Sequence, residues 1–120
     1  MHAAAVIVHD ETVLLAHRPS AGLLGGLWEF PNAAVGADPA LDLAPAIEAG
    51  YGLKLRPGAA LGILRHTYTH FKLVEHVFAC EVQAVPSGLT WTPITALQDH
   101  PMGKVDRWIA GSMLAKTADT

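Results

Sequence analysis

The sequence predicts one α/β domain, in which helices cover a mixed sheet. Two observations carry this. Short β-rich runs and two helical stretches alternate in the order ββ, β, α, ββ, β, α, with no repeat and no internal linker. The chain has 120 residues, 51% of them apolar. A chain of that length buries roughly two-thirds of its unfolded surface, so the core needs no disulfide or structural metal.

The elements follow in order. AAAVIVHD and TVLLAHRP are β-rich runs on either side of an Asp10-Glu11 turn, a hairpin pattern. Pro19 to Gly26 reads as a glycine-punctuated loop, and Leu27 to Phe30 as a short strand closed by Pro31-Asn32. Pro39 to Tyr51 holds a short helix capped by Asp38 or Asp42, with Pro45 tolerable only in its first turn. Gly52 stops that helix, and the alternating KLRPG lies beyond it. Two long β stretches come next, Ala60 to His66 and Phe71 to Gln83. In the second, Val74, Phe78, Cys80 and Val82 share one face, and His76 falls on the same side. TYTH, residues 67 to 70, connects the two stretches. Pro86-Ser87-Gly88 turns the chain into a short Trp91 strand. Val105, Trp108, Ile109, Ser112 and Met113 then repeat at helical spacing, an amphipathic closing helix. The last residues, AKTADT, read as a disordered end.

Composition narrows the function. The net charge is −3, without the basic surplus of a free-standing nucleic-acid binder, so any DNA role is shared with a more basic domain. The single Cys80, in the apolar run VFACEV, reads as a small buried hydrophobe and excludes a four-cysteine metal or iron–sulfur site within this chain. No secretory or membrane signal is visible, and a reducing, cytoplasmic location is the expectation. His66, His70 and His76 lie close in sequence but lack the spacing of a structural zinc site, and no metal is expected.

Two stretches carry a resemblance. The WEFP strand and a helix ending in Tyr51-Gly52-Leu53 resemble the Nudix fold, an α/β/α sandwich with a mixed sheet. In that family the helix reads R-E-U-x-E-E-x-G-U, with U a bulky aliphatic. Its glutamates, at i, i+3 and i+4, share one helix face. They hold hard divalent cations that bridge a diphosphate and activate water. Anchored on Gly52 and Leu53, the pattern puts Pro45 at the arginine and Ala46, Ala49 and Gly50 in the glutamate slots. Ile47 fills the aliphatic slot, and Glu48 falls in the unconstrained one. The packing positions are kept and the metal-binding ones are not.

HRPSAGLLGGLWEFPN, RHTYTHFKL and HPMGKVDR together resemble a narrower group, the C-terminal Nudix-like domain of MutY-type adenine DNA glycosylases. The resemblance implies a catalytically silent domain over residues 1–120 that inspects 8-oxoguanine mispaired with adenine during base excision repair. It further implies a catalytic domain in the same polypeptide, which carries the iron–sulfur cluster, so that this chain has no cofactor of its own. The chain begins directly on its first strand, as expected of a domain that follows a linker, and a monomer is expected. The family's aromatic–serine–histidine recognition triplet is matched by Tyr68, Thr69 and His70.

The chemistry of that triplet is compatible. Oxidation at C8 turns guanine N7 from an acceptor into an N–H donor and adds a carbonyl. A Thr69 hydroxyl can accept from that N–H, and the Tyr68 ring can wedge or stack at a base step. His70 can contact phosphate or brace the loop. The plainer alternative has Tyr68 cap the core and Thr69 make the turn. Arg18, Arg65, Lys72, Lys104 and Arg107 are candidates for phosphate or interdomain contacts, or are scattered surface charge. The rival from another class is a divergent nucleotide pyrophosphohydrolase acting on a substrate such as 8-oxo-dGTP.

Overall fold

The structure is a computed structural model that describes residues 1–18 and 25–114. Most of the Pro19–Gly26 loop and the AKTADT end therefore lie outside the described residues. The first β-rich run divides at Ile7 into β1 (His2–Val6) and β2 (Val8–His9), and β3 (Thr12–His17) returns along β2. Asp10 and Glu11 both take positive φ, 48° and 63°, as the two central residues of a tight hairpin turn do. β4 (Trp28–Glu29) pairs with β3. A further strand that the sequence pattern did not separate, β5 (Asn32–Ala34), pairs with β1. WEFPN is thus the crossover from one sheet to the other.

The remaining elements are α1 (Pro39–Tyr51), β6 (Leu55–Thr67), β7 (Lys72–Val82), β8 (Leu89–Pro93), a 3₁₀ turn (Ile94–Asp99) and α2 (Lys104–Ser112). One sheet has the order β5-β1-β7-β6, with β1 parallel to β7 and the other pairs antiparallel. In the second sheet β3 pairs with β8 as well as with β2 and β4. The expected α/β/α sandwich with a mixed sheet is what forms.

Alternation along the strands builds two apolar layers. Ala3, Ala5, Leu14, Phe78 and Cys80 pack with Leu43, Ile47 and Leu53, on the α1 side. Ala4, Val6, Val13, Leu15, Phe30 and Val77 pack with Ile109, Met113 and Leu114, on the α2 side. Central strands covered on both faces are apolar at consecutive positions, which explains the alanine run of β1. The lack of a side chain at Gly62 on β6 admits Met113, whose Cε would lie 2.6 Å from an added Cβ.

Two sequence expectations need correction. KLRPG does not stand apart: β6 begins at Leu55 and runs through it, with register shifts between Pro57 and Gly62. Pro57 is accommodated because β6 is an edge strand. Pro45 is not in the first turn of α1 but well inside the helix, on its exposed side. Leu41, whose carbonyl loses its usual i+4 donor to the proline ring, is itself 73% exposed, so water satisfies that side. Of the two capping candidates, Asp38 is the cap. Asp38 accepts from the Leu41 amide at 3.2 Å, while Asp42 accepts from Gly36 at 3.0 Å. Gly52 closes the helix in the left-handed region, at φ 69°.

Pro45→Ala is therefore expected to stabilise the chain. A helix-interior proline costs about 3 kcal/mol against alanine, and its stiffening of the unfolded chain returns up to about 1. A net gain near 2 kcal/mol would appear as a higher urea midpoint. An unchanged midpoint would mean that the helix is not continuous through residue 45.

Candidate nucleic-acid interface

On α1, Ile47 is fully buried, whereas Glu48, Ala49 and Gly50 face solvent. Of the slots that would hold a divalent cation, Ala49 and Gly50 are exposed and Ala46 is half-buried, and none offers a side-chain oxygen. Glu48 itself lies 3.9 Å from Lys54, a loose exposed pair. Among the described residues, no group of three or more His, Cys, Asp or Glu side chains is placed to hold a metal. Nor does the chain suit an iron–sulfur cluster: Cys80 is single and buried, and burial pushes its thiol up to about 12.

The expected recognition residues sit at the tip of the β6–β7 hairpin. Thr67 and Lys72 form the last strand pair, and the Tyr68 amide donates to the Phe71 carbonyl at 2.7 Å. Tyr68, Thr69, His70 and Phe71 are all exposed. Tyr68 does not cap the core; it stacks on Phe71 at 4.6 Å and 21°, and His66 meets its ring edge-on at 4.5 Å. His66 also meets Trp108 of α2 edge-on at 5.5 Å, and the Lys104 ammonium lies 5.6 Å from the Trp108 ring centre. An exposed row of rings thus runs from the hairpin tip to α2. Phe71, 59% exposed, and Trp108 enlarge a platform that the sequence reading had confined to Tyr68. The apolar Phe71 beside a polar turn was the available signal.

The five basic candidates divide by environment. Arg65 and Lys72 are exposed on the hairpin face that looks toward α1, and Lys104 stands on the opposite side beside Trp108. These three flank the loop. Arg107 instead donates to the Leu97 and His100 carbonyls at 2.9 and 2.6 Å, tying α2 to the 3₁₀ turn. Arg18 points inward, its Nε 2.7 Å from Glu29 Oε1.

Beneath the loop lies a pocket of about 400 Å³ whose lining includes Arg18, Tyr68, Phe71, Glu75, Lys104 and Asp106. The acids that line it, Glu75 and Asp106, were not anticipated, nor was Glu29 beyond Arg18. Glu29, 8% exposed, accepts from the Tyr51 hydroxyl at 2.6 Å and pairs with Arg18 without an aligned hydrogen bond at Oε1. Asp106 accepts from the Phe30 amide at 3.1 Å. Glu75 is 4% exposed, and no hydrogen bond or ion pair reaches its carboxyl among the described residues. Burial pushes Glu75 up to about 8, with Asp106 and Glu29 adding to the shift, and burial raises Asp106 to about 6. Sequence reading treated β7 as apolar on one face, so the inward position of Glu75 on its other face went unnoticed.

The sequence matches the NUDIX domain family over residues 2–110. Human adenine DNA glycosylase is 33% identical over 89 residues, 66% of this chain but 16% of that protein. A Nudix hydrolase from M. smegmatis, RenU, superposes with a TM-score of 0.78 at 19% identity, covering 98% of this chain and 86% of that one. The C-terminal domain of mouse MUTYH, crystallised in complex with human PCNA, gives 0.67 at 22% identity, covering 98% and 86%. Both structural likenesses establish the fold.

The buried acids predict an unusual pH profile. The pKa of Glu75 is raised from 4.5 to about 8, so the unfolded chain ionises first and stability falls as pH climbs between those values. Glu75→Gln removes this penalty while keeping the shape. Thermal melts should show the variant gaining roughly 5–10 °C at pH 8.5, with little change at pH 5. Parallel wild-type and variant profiles would show that Glu75 titrates normally.

Proposed function

The chain belongs to the Nudix domain family, and we propose that it reads damaged DNA rather than hydrolysing nucleotides. The observation that carries this reading is the hairpin tip. Tyr68 and Phe71 are stacked and exposed, with Thr69 and His70 between them and Arg65, Lys72 and Lys104 around them. An aromatic wedge, a hydroxyl and flanking cations are the parts needed to enter a base step, test an edge and hold phosphate. The similarity to human adenine DNA glycosylase supports 8-oxoguanine opposite adenine as the target. Alanine and glycine in the metal slots support a domain that performs no hydrolysis itself. In this reading the partner is a catalytic glycosylase domain of the same cytoplasmic polypeptide, which holds the iron–sulfur cluster, and this domain is monomeric.

Thr69 accepts from the N7–H of the oxidised base. Because its hydroxyl can rotate to donate to ordinary guanine N7, it discriminates only in part. One unmatched buried group costs roughly 1–3 kcal/mol, so about tenfold selectivity is the scale for this contact. Titration of labelled duplex carrying 8-oxoguanine opposite adenine, against the undamaged duplex at low salt, should show that preference. Tyr68→Ala and Thr69→Ala should shrink it. Equal affinity for the two duplexes would sink the lesion-reading role.

The hydrolase reading draws on the fold shared with RenU and on the exposed carboxylate of Glu48. Incubation with 8-oxo-dGTP and Mg²⁺ or Mn²⁺ should release no pyrophosphate, and form no 8-oxo-dGMP, above background. Release that disappears in Glu48→Gln would put the hydrolase in its place.

A further inference from the structure

The pocket under the hairpin tip holds a buried carboxyl with nothing to bind. Glu75 lines it at 4% exposure, and no donor reaches its oxygens among the described residues. Asp106, which accepts from the Phe30 amide, lines the same pocket. The stacked Tyr68–Phe71 pair forms one wall. We propose that this pocket receives the guanidinium of an arginine from a partner protein, with Glu75 and Asp106 as a carboxylate fork and the Tyr68–Phe71 rings beside it.

The charges facing the pocket can be counted element by element. β7 contributes Glu75, α2 contributes Asp106 and Lys104, and the end of β3 contributes Arg18, which pairs with Glu29 of β4 outside the lining. α1 contributes Tyr51, whose hydroxyl burial keeps protonated. His2 of β1, pushed toward its neutral form by burial and by the ammonium of Met1 before it, also lines the pocket, and that ammonium acts on Glu75 as well. Arg18 is engaged with Glu29, and Lys104 sits by Trp108. Among the described residues no ion pair reaches Glu75, and the Met1 ammonium only partly offsets its burial.

A buried carboxyl without a donor is costly, and a ligand that brings donors and positive charge relieves it. A phosphate or other anion would meet two carboxyls and is disfavoured. Between the two cationic side chains, arginine fits better than lysine. Its planar fork can donate to two carboxylates at once and can stack on a ring, whereas an ammonium is a strongly hydrated point charge. The pocket of about 400 Å³ opens at the surface, where a side chain on a partner segment can enter. The proposal does not depend on the DNA reading.

Binding requires Glu75 to give up its proton, so affinity and pH are linked. With Glu75 at about 8, the ionised fraction, and with it the affinity, grows roughly tenfold between pH 7 and pH 9. The test is an NMR titration of the chain with N-acetyl-arginine amide, beside the citrulline amide of the same shape without charge, and the lysine amide. The arginine amide should shift the Tyr68 and Phe71 ring signals and bind at least tenfold more tightly than the citrulline amide and several-fold more tightly than the lysine amide. Its affinity should rise with pH. Glu75→Gln, with its fold checked by an unchanged amide spectrum elsewhere, should lose both the binding and the pH dependence. Phe71→Ala, on a side chain too exposed to disturb the core, should weaken binding several-fold, whereas Thr69→Ala should leave it unchanged. Equal binding of citrulline amide would overturn the proposal. So would guanosine binding that needs Glu75 and falls as pH rises, which would make the pocket a site for a neutral heterocycle.

Discussion

The fold converges on the carboxylate of Glu29. One short strand, β4, brings it between the sheets, where Arg18 meets it from the end of β3 and Tyr51 from the end of α1. Tyr51 in turn accepts from the Asn32 amide at the start of β5, and one residue away the Phe30 amide donates to Asp106 of α2. Both sheets and both helices are therefore joined through four consecutive polar contacts around Glu29 to Asn32. A buried carboxylate is tolerable when paired and hydrogen-bonded, and losing any partner would leave the rest exposed to the full desolvation penalty. This constraint explains why WEFPN and HPMGKVDR, far apart in sequence, occur together: Asp106 of the second segment serves Phe30 of the first, and the Trp28 amide donates to Pro101 at 2.8 Å.

With the hub in place, α1 need only pack. Leu43 and Ile47 are fully buried and Tyr51 supplies its hydroxyl, while the opposite side exposes Leu41, Pro45 and Ala49. A helix with no carboxylates to aim at a shared cation tolerates a proline directly before those slots. Pro45 and the missing glutamates are thus two sides of the same relaxation. What remains under constraint is α2, since Asp106 fixes its start and Met113 fits against Gly62. Trp108 and Lys104, placed by that helix, extend the ring platform of the hairpin tip.

Much of the fold was legible because periodicity and punctuation agreed. The Asp10-Glu11 turn, the Asp38 cap, the Gly52 stop and the closing helix all follow from local chemistry. Less was legible where a residue's partner lay far along the chain. β5 is three residues long and exists because β1 offers an edge; β6 reaches back to Leu55 because β7 pairs with it there. The tip residues Tyr68, Thr69 and His70 could be placed from their position between two strands. The acids could not. Glu75 looks like the polar side of a half-buried strand, and only the packing of α2 against that face makes it a buried charge.

Those acids also bear on how a chain of net charge −3 could present a loop to phosphate. Charges within a Debye length, about 8 Å at physiological salt, act on one another with little screening, and the pocket lies directly below the tip. Three ionised carboxylates there would oppose Arg65, Lys72 and Lys104 above them. Glu75, uncharged over most of the population below pH 8, removes one of the three, and Arg18 offsets a second. The tip therefore keeps a locally positive balance on an acidic domain. That balance is small, so on the DNA-reading proposal the loop would add selectivity to a complex whose affinity came largely from elsewhere.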